Sequence, residues 1–356
     1  LSGFKALNLF VFGAGSVGGA LIDMILRQRK ELVEDLKLDL RVVGVANSRK
    51  MYFDLNGLSD SHWRDTLQSS GGPSSIQGFI DHMKQLNLPN SVFIDGTSNP
   101  EVAEVYIEVL EQSISVVTPN KKAASGPQAY YEAIHETARV HNAKYLYETN
   151  VGAALPAIQM VRQVKQSGDH IHRLEALVSG TTNFIMDTLM KGGTFSDVIE
   201  QARKAGYTEP DPRDDLNGMD IARKVLILAR EAGHALELGD VHVERLLPDV
   251  YYDAPSVEAF MQMLPALNSD WKSRCEASSA QGKVLRYIAR LEQGKAKVTL
   301  ESVGPEHPAY GMRDTDSMLL MYTDSYAERP IVLMGPGAGP ELTARGVLAD
   351  IIATAK

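Results

Sequence analysis

The stretch "ALNLFVFGAGSVGGALIDMILRQR" (residues 6–29) constrains this chain more than any other. Residues 6–12 are an apolar run of strand type, residues 13–19 are rich in glycine, and a helix-periodic pattern follows through Arg29. The turn matches G-x-G-x-x-G at Gly13, Gly15 and Gly18. Its position between a strand and a helix, in the first βαβ unit, is what makes the motif specific. Gly13 permits a tight turn, Gly15 lets the backbone approach a pyrophosphate, and Gly18 lets helix and strand pack closely. The turn and first helical residues (Gly13, Ala14, Gly15, Ser16, Val17 and Gly18) then present N–H groups and a positive dipole end to phosphates. The competing reading is a glycine-rich turn without a ligand.

The rest of the first half repeats the rhythm. Strand-type runs at 40–46, 91–97, 114–119 and 144–149 alternate with helical patterns at 100–112 and 127–142, and "QSSGGPSS" (68–75) reads as a loop. Strands alternating with helices predict an α/β domain of Rossmann type, a doubly wound parallel sheet. After about residue 150 the pattern changes. A half-buried strand at 171–180, helices at 182–191, 195–205 and 218–233, and strands at 297–303, 317–323 and 331–334 predict a second, α+β domain with a mixed sheet and helices on one side. The expected division is 1–150, completed by the C-terminal helix in 335–356, and 151–334. A length of 356 residues suits two domains.

Several function classes are disfavoured. A net charge of −9 argues against nucleic acid or an anionic membrane as the main partner. The single cysteine, Cys275, excludes an internal disulfide and fits a reducing compartment, the cytoplasm or, in a plant, the plastid stroma. The most apolar stretch, Leu7–Leu26, holds Asn8, Asp23 and the glycine turn, which oppose a membrane span. No signal-peptide cleavage site follows it. The chain begins at Leu1, which reads as processing or as a piece of something longer.

The second strand ends "VANSRK" (45–50). Asn47 and Ser48 stand where an acid would hold the ribose 2′-hydroxyl of NAD, and Arg49 and Lys50 follow. Neutral donors beside cations favour a 2′-phosphate, hence NADP, with NAD the alternative and solvated loop charges the bland reading. Strand ends face the ligand crevice in such sheets. Thr97, Ser98 and Lys121 are therefore expected on the nicotinamide side, with Lys122 the alternative to Lys121.

"GYTEPDPRDDLNGMDIARK" (206–224) crowds Glu209, Asp211, Asp214, Asp215 and Asp220 into one turn that Pro210 and Pro212 keep from starting as a helix. Asp220 and Lys224 then share a helix face. A surface pair of this kind contributes only about 0.3–0.5 kcal/mol. Stacked carboxylates, Glu209, Asp214 and Asp215 among them, repel unless a cation offsets them, and a substrate ammonium would do so. A lysine beside them can donate a proton to a developing alkoxide and stabilise its charge.

These residues resemble the signature of the homoserine dehydrogenases: Ala202, Gly206, Tyr207, Glu209, Pro210, Pro212, Asp215, Leu216, Gly218, Asp220 and Lys224 all fall on it. "VVTPNKKA" (116–123), "YETNVGAALP" (147–156), "SGTTNFI" (179–185) and "GPGAGPELTARGVLAD" (335–350) resemble further segments of that family, in its order. "RVVGVANS" and "ARKVLILARE" are most similar to the dehydrogenase half of bifunctional aspartate kinase–homoserine dehydrogenases.

The resemblance implies reversible hydride transfer between NAD(P) and the pair homoserine/aspartate 4-semialdehyde, in threonine and methionine synthesis. It implies Lys224 as proton donor and acceptor, with Lys121 and Asp220 assisting. Glu209, Asp215, Asp220 and Tyr207, with Gly180 and Thr181 of the "SGTT" loop, would bind substrate. Gly206 and Gly339 would approach the cofactor. Glu148 with the carbonyls of Val151, Ala153 and Leu155 would hold a monovalent cation, sodium in the family; a purely structural turn is the alternative. It also implies a homodimer formed through the second domain, and fusion to an aspartate kinase. One departure is Thr315-Asp316-Ser317, where fused relatives have Gly-x-Asn; it puts a role for that edge in doubt. His170 and His172 form an H-x-H with no third ligand in view. A reductase of another amino-acid aldehyde and a dinucleotide-binding sensor without turnover remain as competing readings.

Overall fold

A computed structural model describes residues 4–59 and 62–356. The chain divides into two compact units, residues up to Ala154 with Gly339–Lys356, and Leu155–Ala338. The boundaries lie four residues beyond those expected, for packing reasons. The turn holding Gly152 and Ala153 packs on the last helix: a Cβ on Gly346 would lie 3.0 Å from the Ala153 carbonyl oxygen. Gly337 packs on Ser317, which keeps the strand before it in the second unit.

The first unit holds strands β1 (Lys5–Phe12), β2 (Leu38–Ala46), β3 (Lys50–Phe53), β4 (Gly72–Pro73), β5 (Ser91–Asp95), β6 (Ser115–Val117) and β7 (Tyr145–Leu146). They form one sheet in the order β4-β3-β2-β1-β5-β6-β7. The five strands from β2 to β7 in that order are parallel. β3 and β4 extend one edge antiparallel, so the sheet is not wholly parallel as expected, and residues 68–75 are not all loop. The helical pattern at 100–112 is also two short pieces, Pro100–Ala103 and Tyr106–Leu110.

Both faces of β1 are covered, which explains its unbroken apolar run. Leu7, Leu9 and Val11 pack in a core with Leu21, Ile22 and Ile25 of the helix Ser16–Leu36 and with Val347 and Ile351 of the helix Pro340–Thr354. On the other face Phe10 and Phe12 meet Phe79, with ring centroids 6.4 and 5.3 Å apart. Each fully buried side chain of this size contributes about 1.5–3 kcal/mol.

The second unit contains β8 (Ile171–Leu177), β9 (His242–Val243), β10 (Val284–Glu292), β11 (Lys295–Val303), β12 (Asp316–Thr323) and β13 (Ile331–Pro336). Their order is β13-β12-β8-β10-β11-β9. All pairings are antiparallel except β11 with β9, so the sheet is mixed. Alternation along β10 separates two environments. Tyr287 faces the start of the helix Met219–Ala232, where a Cβ on Gly218 would lie 2.4 Å from its hydroxyl. Arg286, Ile288 and Arg290 face the other way. Arg286 donates to the carbonyls of Ala309, Tyr310 and Met312, and Arg290 pairs with Glu175 and Glu301.

Candidate active site

In the first unit the glycine turn lies where β1 meets the helix Ser16–Leu36. Gly13 has φ +103°, and a Cβ there would sit 2.6 Å from Thr97 Cγ2. A Cβ on Gly18 would sit 2.2 Å from the Gly13 carbonyl oxygen. These two glycines are required by the fold. At Gly15 the constraint is not steric crowding: nothing lies within 4 Å of the Cβ position, although its backbone, at φ −81° and ψ −145°, lies outside the regions that residues with a Cβ favour. The space it leaves open is on the outside, which fits a ligand rather than internal packing. The helix has no side-chain cap and no acid in its first turn, so its N–H groups and dipole stay available. One expectation is amended. The Ala14 N–H donates to the Ala46 carbonyl at 2.8 Å, so the open donors begin after it, at Gly15, Ser16 and Val17.

At the end of β2, Asn47 Oδ1 accepts from the N–H groups of Arg49 and Lys50, at 2.8 Å each. Asn47 thus shapes the turn. Ser48 and Arg49 are exposed, and Lys50 is drawn aside by the Gln68 carbonyl at 2.6 Å. At the ends of β5 and β6, Thr97 is half-buried and Ser98 exposed. Lys121 is half-buried and Lys122 exposed, so the two are not equivalent. Gly339, at φ +123°, opens the last helix with nothing within 4 Å of its Cβ position.

The 148–153 turn is tight. Glu148 starts a 3₁₀ turn and its N–H donates to Asp350 Oδ2 at 2.9 Å. Val151 and Ala153 are buried, and Ala153 has φ +52°, an uncommon value for a residue with a Cβ. Leu155 belongs to the second unit, so it is not placed with these three. Among the described residues no group of three or more His, Cys, Asp or Glu side chains is arranged to hold a metal. His172 pairs with Asp324 at 2.6 Å and stacks on His170.

In the second unit the helix Met219–Ala232 carries Asp220 and Lys224 on one face. Lys224 Nζ lies 2.8 Å from Asp220 Oδ2 and donates to the Val178 carbonyl at 2.6 Å, just past the end of β8. Its side chain is 13% exposed, that of Asp220 47%. The Val178 contact was not legible in the sequence, because any residue supplies a carbonyl.

Next to Val178, the loop "SGTT" starts the helix Gly180–Met190, capped by the Ser179 hydroxyl. Gly180 lies against Thr315, where a Cβ would be 3.2 Å from the Thr315 carbonyl oxygen. The 315–317 edge therefore borders this loop. Thr181 Oγ1 lies 2.5 Å from the Tyr207 carbonyl and 2.9 Å from Asp215 Oδ1. Asp215 Oδ2 accepts the Glu209 N–H at 2.8 Å. Tyr207 is exposed and packs edge-on against Phe184, and Gly206 takes φ +72° in the turn before it.

Three of the five carboxylates share one field. Burial raises the Asp215 carboxyl to about 6, and the neighbouring charges of Glu209 and Asp220 push the same way, against hydrogen bonds from Glu209 and Thr181. The other two belong elsewhere. Asp211 is locked to Arg213, which holds it below the usual carboxylate range. Asp214 is exposed, so the expected stack includes Asp215 but not its neighbour. Contrary to expectation, Pro212 does not keep the turn from being helical: it is the first residue of the helix Pro212–Leu216, where its missing N–H would have no intrahelical partner anyway, and that helix separates consecutive residues by about 100°.

The family model for homoserine dehydrogenase matches residues 156–352, and the model for the homoserine dehydrogenase NAD-binding domain matches 13–148. The bifunctional aspartokinase/homoserine dehydrogenase of Haemophilus influenzae is 42% identical over 98% of this chain, which spans 43% of that protein's length. The homoserine dehydrogenase of Schizosaccharomyces pombe is 33% identical over 97% of this chain and 94% of its own. A hyperthermophilic archaeal homoserine dehydrogenase mutant in complex with NADPH is 25% identical, covering 99% of this chain and 98% of its own with a TM-score of 0.76. With both units matched, the chain belongs to the homoserine dehydrogenase family and carries that family's nicotinamide dinucleotide-binding domain.

Proposed function

We propose that this chain interconverts L-homoserine and L-aspartate 4-semialdehyde, in threonine and methionine biosynthesis, with Lys224 as the proton donor and acceptor. The observation that carries this reading is the Lys224 ammonium, largely buried and held by Val178 and Asp220 beside the Glu209–Asp215–Asp220 cluster. An ammonium has three donors; the Val178 carbonyl and the Asp220 carboxylate engage two, leaving the third for a substrate oxygen. In oxidation the neutral amine of Lys224 takes the hydroxyl proton and becomes the ammonium; in reduction the ammonium returns that proton to the substrate oxygen. Asp220 fixes the lysine. Glu209 and Asp215, with Tyr207, Gly180 and Thr181 around them, bind and orient the substrate ammonium. Lys121 supports the reacting oxygen or the nicotinamide end of the cofactor.

The bound nicotinamide accepts or supplies the hydride. We assign its pyrophosphate to Gly13–Gly18, a reading supported by the open position at Gly15 and the uncapped helix. Thr97, Ser98, Gly206 and Gly339 would complete its surroundings. Exposed Ser48 and Arg49, in a turn (residues 47–50) that carries no acid, support NADP over NAD. A monovalent cation, sodium, at Glu148, Val151, Ala153 and Leu155 is supported by the strained turn at Ala153. Higher identity to the fused relatives supports a dehydrogenase portion joined to an aspartate kinase in the full-length protein. Exposed Val332 and Met334 on edge strand β13 support a homodimer through the second unit. No helix among the described residues is long and apolar enough to cross a membrane. The single cysteine supports the cytoplasm, or the plastid stroma in a plant. Homoserine-dependent reduction of NADP tests the reaction.

A further inference from the structure

Asp95 ends β5 and is fully buried. Its carboxylate meets only donors. Oδ1 accepts from the N–H and hydroxyl of Thr97 at 2.8 and 2.7 Å. Oδ2 accepts from the Tyr106 hydroxyl at 2.6 Å and Asn120 Nδ2 at 2.8 Å. Its backbone carbonyl accepts from Thr118 Oγ1 at 3.0 Å. Asn120 is 2% exposed, donates also to the Asn99 carbonyl, and accepts the Lys122 N–H at the start of the turn that carries Lys121. Thr97 rests against the glycine turn at Gly13.

We propose that Asp95 is a positioning residue, one buried carboxylate from which both strand-end segments of the cofactor crevice hang. One arm, through Thr97, sets residues 96–99 against the glycine turn. The other, through Asn120, sets Lys121. A buried charge is tolerated where several hydrogen bonds satisfy it, and breaking such a network leaves polar groups unpaired. The arrangement makes the relative placement of Thr97 and Lys121 depend on one side chain that touches neither cofactor nor substrate. This inference rests on the reaction assigned above.

The test compares Asp95→Asn with Tyr106→Phe in the whole chain, measuring NADPH dissociation constant by fluorescence, kcat and KM for homoserine, and Tm. An amide at position 95 turns an NH2 toward one pair of donors whichever way it is rotated. Asp95→Asn is expected to weaken NADPH binding and to lower kcat, each by about tenfold or more. Tyr106→Phe removes a donor to the same carboxylate without releasing either arm. It is expected to lower Tm and leave both quantities within about twofold. Wild-type behaviour of Asp95→Asn overturns the proposal, as does an equal kinetic loss in Tyr106→Phe at a similar Tm. Should Asp95→Asn not fold, Asn120→Ala tests one arm alone, since Asn120 joins Asp95 to the turn that carries Lys121. It is expected to lower kcat by about tenfold with the NADPH dissociation constant within about twofold. A wild-type kcat in Asn120→Ala overturns the proposal. A wild-type chain that binds NADPH but does not turn over homoserine refutes the reaction assignment instead, and the binding arm still decides the role of Asp95.

Discussion

Lys224 and Asp220 are held 2.8 Å apart, one helical turn from each other, with the lysine sheltered and the carboxylate half-exposed. An exposed pair at this spacing contributes little to stability. Here the lysine's second anchor, the Val178 carbonyl, ties the pair to the end of β8 and makes its position, not its energy, the important quantity.

Lys224→Ala should lower kcat by about 10²–10⁴-fold, the range for loss of a positioned general acid–base group. NADPH affinity should stay near wild type, because Lys224 is assigned to the substrate oxygen and the pyrophosphate to the glycine turn. Steady-state kinetics and fluorescence titration check both halves.

Asp215 provides a pH test. Its folded-state pKa of about 6 stands above the ordinary value of 3.8. The folded, substrate-free chain therefore binds this proton more tightly than the unfolded chain. By linkage, this group favours folding increasingly as pH falls from about 6 toward 4, and that contribution is lost as pH rises. A substrate ammonium has the opposite effect, stabilising the charged form. Homoserine binding near pH 6 should release a proton, and KM for homoserine should rise as pH falls below about 6. Calorimetry in two buffers of different ionisation enthalpy reads the proton directly.

Gly15 and Gly18 should separate by mutation. Gly18→Ala drives a methyl group to 2.2 Å from the Gly13 carbonyl and should destabilise the fold by about 1–3 kcal/mol. Gly15→Ala meets nothing within 4 Å and should destabilise the fold less than Gly18→Ala, through its backbone conformation alone, while weakening NADPH binding. Thermal melts with and without NADPH distinguish the two.

Arg49→Ala should raise the NADP dissociation constant by about tenfold and leave NAD nearly unaffected, since a charge-assisted contact contributes about 1.5–3 kcal/mol. The effect should shrink as ionic strength rises. Paired titrations with the two cofactors check it.

The strand–glycine–helix unit was legible because each residue there answers a local demand of backbone or packing. β10 was not. Its Arg286 and Arg290 point into a layer of carbonyls and carboxylates, so a strand with both faces covered reads as charged. β3 and β4 were too short to show a period. In the candidate site, the residue types were readable and their sorting was not. Asp214 and Asp215 are equivalent as letters, and only the turn of the helix begun at Pro212 puts one in the cluster and one in solvent. Asp95 in "FIDGTS" resembles any strand end followed by a turn, and two of its four donors, Tyr106 and Asn120, arrive from two other segments.

The most direct measurement is the absorbance of reduced nicotinamide when homoserine and NADP are added to the purified chain at alkaline pH, in parallel with the Lys224→Ala variant. The account predicts homoserine-dependent formation of NADPH by the wild-type chain and at least a hundredfold less, about the lower limit for a lost acid–base group, by the variant. Equal rates in the two proteins, or no reduction of either NADP or NAD by the wild-type chain, would contradict it.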